Sequence, residues 1–390
     1  MNFLDYVEIN PKISFNKGEI YPFIDMESVS TNYRAPSQIR YKEFSSGVKF
    51  QDGDTVIARI TPCLQNGKRF YCKGIGSGFG STEYLVFRPK KDDVDNLYLY
   101  YYMKTEFIKQ CMINSMIGAT GRQRVNNSVF KDIEINFPDI EIQRKIGLIL
   151  SAYDDLIENN QRQIKLLEET AQRLYKEWFV DLHFPGRENT TIIDDVPEGW
   201  SLCSMEDVIE FDPKVKLTKD RLKESVPMSA LSTTSMILNR AEFTETYSNS
   251  GSKFQNGDTL LARITPCLEN GKTAFVSGIE SEEGAVGSTE YIVMRSKKIN
   301  SYMVYLIARS DEFRNYAINS MSGSDGRQRV KADKLKGLNY LCPSSHLIDR
   351  FGEVAEPIFN KIFVLNKQCE MAQEARDRLL PKLMGGELEL

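Results

Sequence analysis

One stretch of twenty residues occurs twice in this chain. Lys49–Lys68 reads KFQDGDTVIARITPCLQNGK and Lys253–Lys272 reads KFQNGDTLLARITPCLENGK, with sixteen of the twenty positions identical. GSTEY at Gly80–Tyr84 returns at Gly287–Tyr291, and INSMIGATGRQRV at Ile113–Val125 returns as INSMSGSDGRQRV at Ile318–Val330. The offset drifts from 204 to 207 and back to 205, as loops of unequal length would make it. A solenoid repeat is roughly 20–45 residues long, so this period is a domain-sized unit used twice. A length of 390 residues leaves room for two or three domains.

Each copy has the same internal order. TVIARI (Thr55–Ile60), TLLARI (Thr259–Ile264), YLVFR (Tyr84–Arg88) and YIVMR (Tyr291–Arg295) are rich in β-branched and apolar residues and predict strands. Helices are expected at Asn96–Met112 and Ser301–Ala317, and a proline, Pro138 or Pro343, closes each mixed region.

Past each proline the apolar spacing changes to three, four or seven. Ile142, Ile146, Ile149, Tyr153, Ile157, Ile164, Leu167, Ala171, Leu174 and Trp178 mark one face of a long helix. Leu347, Phe351, Val354, Ile358, Ile362, Cys369, Ala372, Leu379 and Leu383 mark another. Forty residues of helix, Ile140–Phe179, would be about 60 Å long. Matching stripes predict that the two helices pack as an antiparallel coiled coil, with a bend at Pro357. The other reading has each helix packing on its own domain. The expected class is α/β (α+β), a pseudo-two-fold internal repeat. Its segments are a mixed domain over 1–139, a long helix over 140–180, a linker and second mixed domain over 181–344, and a second long helix over 345–390.

No catalytic constellation is visible. Two histidines, His183 and His346, lie far apart, which argues against a histidine metal site or triad. Seven cysteines without a C-x-x-C pair read as reduced thiols of a cytoplasmic protein. There is no apolar run of membrane-spanning length, and no secretory signal is apparent at the start. Gly74, Gly76, Gly78 and Gly80 imitate a phosphate loop, but the second copy loses the pattern, so a flexible hairpin loop is expected. Gly271-Lys272-Thr273 lacks the earlier glycine of a P-loop. Asp52, Asp54 and Glu83 do not form a metal-hydrolysis set, since Asp-Gly turns explain the first two.

A formal charge of −4 argues mildly against nucleic-acid binding, but the distribution is uneven. Arg122, Arg124 and Lys131 stand in a stretch without acids, and Lys49, Arg59, Lys68, Arg69 and Lys73 outnumber Asp52 and Asp54. Basic loops of this kind neutralise phosphates. Arginine also suits guanine, and Gln or Asn suits adenine, in a major groove. The candidate DNA-contacting residues are Arg59, Thr61, Gln65, Asn66, Lys68, Thr82, Arg122, Gln123 and Arg124 in the first copy. Their counterparts are Arg263, Thr265, Glu269, Asn270, Lys272, Thr289, Arg327, Gln328 and Arg329 in the second. Cys63 and Cys267, at matching positions, are expected to be buried packing residues.

Two mixed domains, each followed by a long helix, resemble the specificity (S) subunit of type I restriction-modification systems. The local marks are QRLYKEWFVDLHFPG at Gln172–Gly186, VPEGW at Val196–Trp200 and RLLPKLMGGEL at Arg378–Leu388. The chain departs from the family pattern at its start, where no P-x-GW precedes Phe3-Leu4-Asp5-Tyr6. The resemblance implies a subunit without an active site, in which each mixed domain is a target recognition domain reading one half of a bipartite double-stranded DNA target. The helices would set the spacing and dock two methyltransferase (M) subunits. Restriction (R) subunits would join them. S-adenosylmethionine, ATP and Mg would be bound by those partners, and this chain would need no cofactor. Similar domains further suggest a nearly palindromic target. Differences are then expected at Gln65 against Glu269, Ala119-Thr120 against Ser324-Asp325, and Tyr21–Tyr41 against Val226–Tyr247. The alternative is a non-catalytic protein-interaction scaffold, which explains the acidic total but not the repeated Arg/Gln loops.

Overall fold

Strands form where the apolar runs lie, and both faces of those strands are covered. The computed structural model describes residues 2–90, 92–324 and 326–388. In the first copy, Val7–Ile9, Tyr84–Pro89, Thr55–Ala58 and Arg69–Tyr71 make an antiparallel four-stranded sheet in that order. Side chains alternate across it. Ile57, Leu85 and Phe87 enter one core with Phe3, Leu99 and Phe130. Val56, Tyr84 and Val86 enter another with Ile24, Phe50 and Phe70.

The second core is capped by a mixed sheet of Arg40–Glu43, Ile20–Ile24, Ser77–Gly80 and Val48–Gln51. Its inner pair is parallel, with Phe23 opposite Phe79. The second copy repeats the topology strand for strand. Ile209–Phe211, Tyr291–Ser296, Thr259–Ala262 and Thr273–Phe275 form one sheet. Thr244–Thr246, Lys223–Val226, Ala285–Gly287 and Ser252–Phe254 form the other. Leu260 and Leu261 again face opposite cores.

Two expectations need correction. The glycine-alternating segment is only partly a loop, because Gly78 and Gly80 are buried strand residues. A Cβ on Gly80 would lie 2.4 Å from the Ile24 carbonyl, and one on Gly287 would lie 2.8 Å from the Val226 carbonyl. Glycine is needed there because neighbouring backbone comes too close for any side chain.

The single helices expected at Asn96–Met112 and Ser301–Ala317 are each two: Asn96–Tyr102 with Glu106–Asn114, and Ser301–Arg309 with Asp311–Asn319. A hydroxyl residue divides each pair. Thr105 donates to the Tyr102 carbonyl and Ser310 to that of Ile307, while Ser310 also accepts from the Phe313 amide and so caps the next helix.

The long helices run over Ile140–Phe179 and Ser345–Met384. The second is continuous through Pro357, which removes one donor without ending the helix. The two compact units each draw on both long helices. One unit holds the chain up to Asn160 together with residues from Gln368, and the other holds Gln161–Lys367.

In the first unit Ile146 and Leu150 meet Leu380 and Leu383 beside Tyr98, Tyr100 and Tyr101, and Ile157 meets Cys369 and Ala372. Rising numbers on one helix match falling numbers on the other, so the pair is antiparallel. In the second unit Phe351 sits within 5.1–6.2 Å of the rings of Tyr175, Trp178 and Phe179. Phe359 lies 5.3 Å from Phe275 of the sheet. The stripes therefore pack on the partner helix and on the domain at once. Among the described residues no helix is long and apolar enough to cross a membrane.

Candidate nucleic-acid interface

Three repeated motifs, far apart in sequence, converge in each unit. In the first, the strand Thr55–Ala58 runs into a tight turn whose Thr61–Pro62 peptide is cis. The Leu64 amide donates to the Ile60 carbonyl and the Asn66 amide to that of Pro62, which coils the turn. The GATGRQRV segment folds back on itself, with Ile117 and Arg124 exchanging backbone hydrogen bonds.

That hairpin is then stitched to the turn. The Thr61 amide donates to the Gln123 carbonyl at 3.0 Å and the Val125 amide to the Arg59 carbonyl at 2.9 Å. The Arg59 side chain donates to the Val125 carbonyl at 3.0 Å. GSTEY closes the cluster, since the Arg59 amide donates to the Glu83 carbonyl and the Glu83 carboxylate holds Arg124 in a two-pronged pair at 2.6–3.0 Å.

The second unit builds the same cluster. The Thr265 amide donates to the Gln328 carbonyl at 3.1 Å, and the Val330 amide to the Arg263 carbonyl at 2.9 Å. Ser322 and Arg329 exchange backbone bonds, and Glu290 holds Arg329 at 2.7–3.0 Å. The Thr265–Pro266 peptide is again cis.

This geometry sorts the candidates. Arg124 and Arg329 brace the hairpins, and their guanidinium groups hold the Glu83 and Glu290 carboxyls below the usual range. Lys68 and Lys272 donate to the carbonyls of Met26 and Met228. Arg59 and Arg263 are half-buried supports. Thr61 touches Gln123 and Met116, while Thr265 donates to Glu269. Gln65 is half-buried, its amide 3.3 Å from the Thr61 hydroxyl and 3.5 Å from the Met116 sulfur. Gln123 and Gln328 are half-buried with their carbonyls used by the turn.

Exposed at the surface are Asn66, Thr82, Arg122 and the Glu83-bound Arg124 in the first copy and Glu269, Asn270, Thr289 and Arg327 in the second. Of the loop pair Ser324-Asp325, Asp325 lies outside the described residues. Cys63 and Cys267 are half-buried rather than buried, because each sits on the turn and not beneath it.

Residues with structural consequence also lie outside the candidate set. Asp54 is not merely a turn residue. It is fully buried and takes both prongs of Arg88 at 2.6 and 2.7 Å, as Asp258 does those of Arg295 at 2.7 Å. The repetition of Asp54 with Arg88 was the available signal. Arg34, also buried, donates to Ser151, Asp155 and Glu158 of the first long helix at 2.6–2.9 Å. No pattern in the sequence announced it.

Residues 8–169 match the family model described as type I restriction modification DNA specificity domain. The type I restriction enzyme MjaIX specificity subunit of Methanocaldococcus jannaschii is 26% identical over 316 residues, covering 77% of this chain and 71% of that protein. The HindI specificity subunit of Haemophilus influenzae is 21% identical over an alignment covering 97% of both. In fold, the chain is similar to the type I restriction-modification S subunit from M. genitalium, with a TM-score of 0.59 and 13% identity, covering 98% of this chain and 95% of that one. A DNA specificity domain matched over residues 8–169, and relatives aligned along most of the chain, are what this chain shares with the specificity subunits of type I restriction-modification systems.

Proposed function

We propose that each mixed domain reads one half of a bipartite duplex target through its convergent turn cluster. The observation that carries this reading is the repetition of the cluster's backbone bonds in two units whose other loops have diverged. Arg122 and Arg327 stand exposed on a hairpin braced from below, a geometry suited to a base edge or phosphate, while the braced arginines stay with their carboxylates. Asn66 and Asn270, with Thr82 and Thr289, flank them as further hydrogen-bonding groups.

The long helices set the separation of the half-sites and dock two methyltransferase subunits, which restriction subunits join. Exposed apolar residues suit the docking role: Leu148, Leu156 and Met371 in the first unit, Leu166 and Val364 in the second. This chain is a reader without chemistry of its own. S-adenosylmethionine, ATP and magnesium belong to the partners, and the complex works in the cytoplasm, a reducing setting consistent with seven free thiols.

Titrating duplex DNA against the complex at several salt concentrations tests the reading. Affinity should fall steeply with salt. Arg122→Ala or Arg327→Ala should cost about 1–3 kcal/mol and relax one base in one half-site. Salt-independent binding, or variants that leave every base preference intact, would refute the assignment.

A further inference from the structure

The two reading clusters differ at one exposed or half-buried reading position. Arg122 with Arg327, Gln123 with Gln328, Asn66 with Asn270 and Thr82 with Thr289 are the same residues in the same turns. Gln65 in the first copy corresponds to Glu269 in the second, at the same step of the same coiled turn, four residues after the threonine that precedes the cis-proline. Each is the residue its threonine touches: Gln65 donates to Thr61 at 3.3 Å, and Thr265 donates to Glu269 at 3.2 Å. Neither is tied into the fold more firmly than that, apart from the 3.5 Å approach of Gln65 to Met116. The Gln65 side-chain oxygen is buried and has no hydrogen-bond partner.

Two other differences leave the cluster's backbone bonds in place, and Asp325 lies outside the described residues. The carbonyls of Ala119 and Ser324 each close the same turn by accepting from Arg122 and Arg327. The divergent segments dock on the first long helix with opposite chemistry. Arg34 donates to the helix carboxylates in one unit, and in the other the Ser235 hydroxyl and Met236 amide donate to Glu168. Yet both segments still offer the same carbonyl to the turn lysine, Met26 to Lys68 and Met228 to Lys272. The segments thus differ in how they dock on the helix while keeping their bond to the turn.

We propose that the two half-sites are alike except at the base pair faced by Gln65 in one and Glu269 in the other, and that these residues set the difference. A glutamine amide both accepts from and donates to adenine, through N6 and N7. A carboxylate only accepts, and so selects the cytosine N4 amino group. To read adenine, the Gln65 amide must turn outward from Thr61 and Met116, which brings its buried, unpaired oxygen to the adenine amino group. The half read by Gln65 therefore carries A·T where the half read by Glu269 carries C·G. This rests on the DNA-reading function proposed above.

The experiment is selection of duplex sites from a random library by the complex, for the wild type, Glu269→Gln and Gln65→Glu. Wild type should return two halves that agree except at one position. Glu269→Gln should make them identical, with a preference change on the order of tenfold at that position, and Gln65→Glu should convert the other half in the opposite sense. Two unrelated wild-type halves, or a Glu269→Gln variant whose halves are unchanged, would overturn this proposal while leaving the DNA-reading function standing. Failure of the wild type to return any motif would overturn both.

Discussion

Asp54 and Asp258 are carboxylates with almost no exposure, each bonded to both prongs of one arginine and to a backbone amide, Gln51 or Gln255. Removing one partner of such a pair leaves a buried charge without compensation, at a cost of about 3–5 kcal/mol. Both tryptophans, Trp178 and Trp200, lie in the second unit. Asp258→Ala should therefore shift the unfolding transition seen by tryptophan emission more than Asp54→Ala does, while circular dichroism registers both losses. Equal tryptophan shifts would contradict the separate cores described above.

The Glu83–Arg124 pair acts differently, because both side chains remain partly in water. Hydrogen bonding to Arg124 lowers the carboxyl's pKa, so the pair's contribution is present above the ordinary glutamate range and is lost as pH falls through the lowered value. Glu83→Gln should loosen the hairpin and weaken DNA binding near neutral pH, with little effect on the melting of the core. A binding isotherm and a melt on the same sample decide this.

At the scale of elements, docking of domain on helix uses different chemistry in the two units. Arg34 is 2% exposed and bonds three residues of the first long helix. Arg34→Lys should fail to restore stability, because one ammonium cannot reproduce a planar fork shared among three acceptors. The measurement is the denaturant midpoint.

Glu168 shows the reverse polarity. Burial raises its pKa, against the opposing bonds from Met236 and Ser235. A raised carboxylate favours folding most at low pH, and this contribution declines as pH rises through the raised value. Glu168→Gln keeps an acceptor for both donors and removes the charge. The second unit of that variant should lose this decline in a series of melts across acid to neutral pH.

Leu167, one residue earlier, packs against the core of the second unit. Leu167→Asp therefore damages folding before it damages assembly. Its place in the stripe was legible from period alone, as were the span Ile140–Phe179 and the four central strands. The helix breaks at Thr105 and Ser310 were not, because an isolated hydroxyl reads equally well as a helix surface residue or a cap. Gly78 and Gly80 were misread for a related reason: their need for glycine comes from a neighbouring strand that local sequence does not contain.

For the whole molecule, repetition was the most informative property of the sequence, since two copies reveal which residues are kept together. It pointed to the turn, the hairpin and GSTEY as one set. It could not say which members brace and which read, because Arg122 and Arg124 look alike until Glu83 is seen to hold only the second. The proposed ruler role gives the last prediction. The chain passes between its two compact units at Asn160–Gln161 and at Lys367–Gln368, once on each long helix. Because the helices are antiparallel, an insertion in one must be matched in the other to keep the apolar stripes in register. A heptad inserted after Asn160 and another after Lys367 preserves that register to within about 20° per heptad. It adds about 10.5 Å of helix. Duplex DNA advances about 3.4 Å per base pair, so the unread spacer should lengthen by roughly three base pairs with both half-sites unchanged. Site selection on the doubly extended complex reads this directly. A single insertion should abolish binding through lost register, and an unchanged spacer in the double insertion would show that something other than helix length sets the distance.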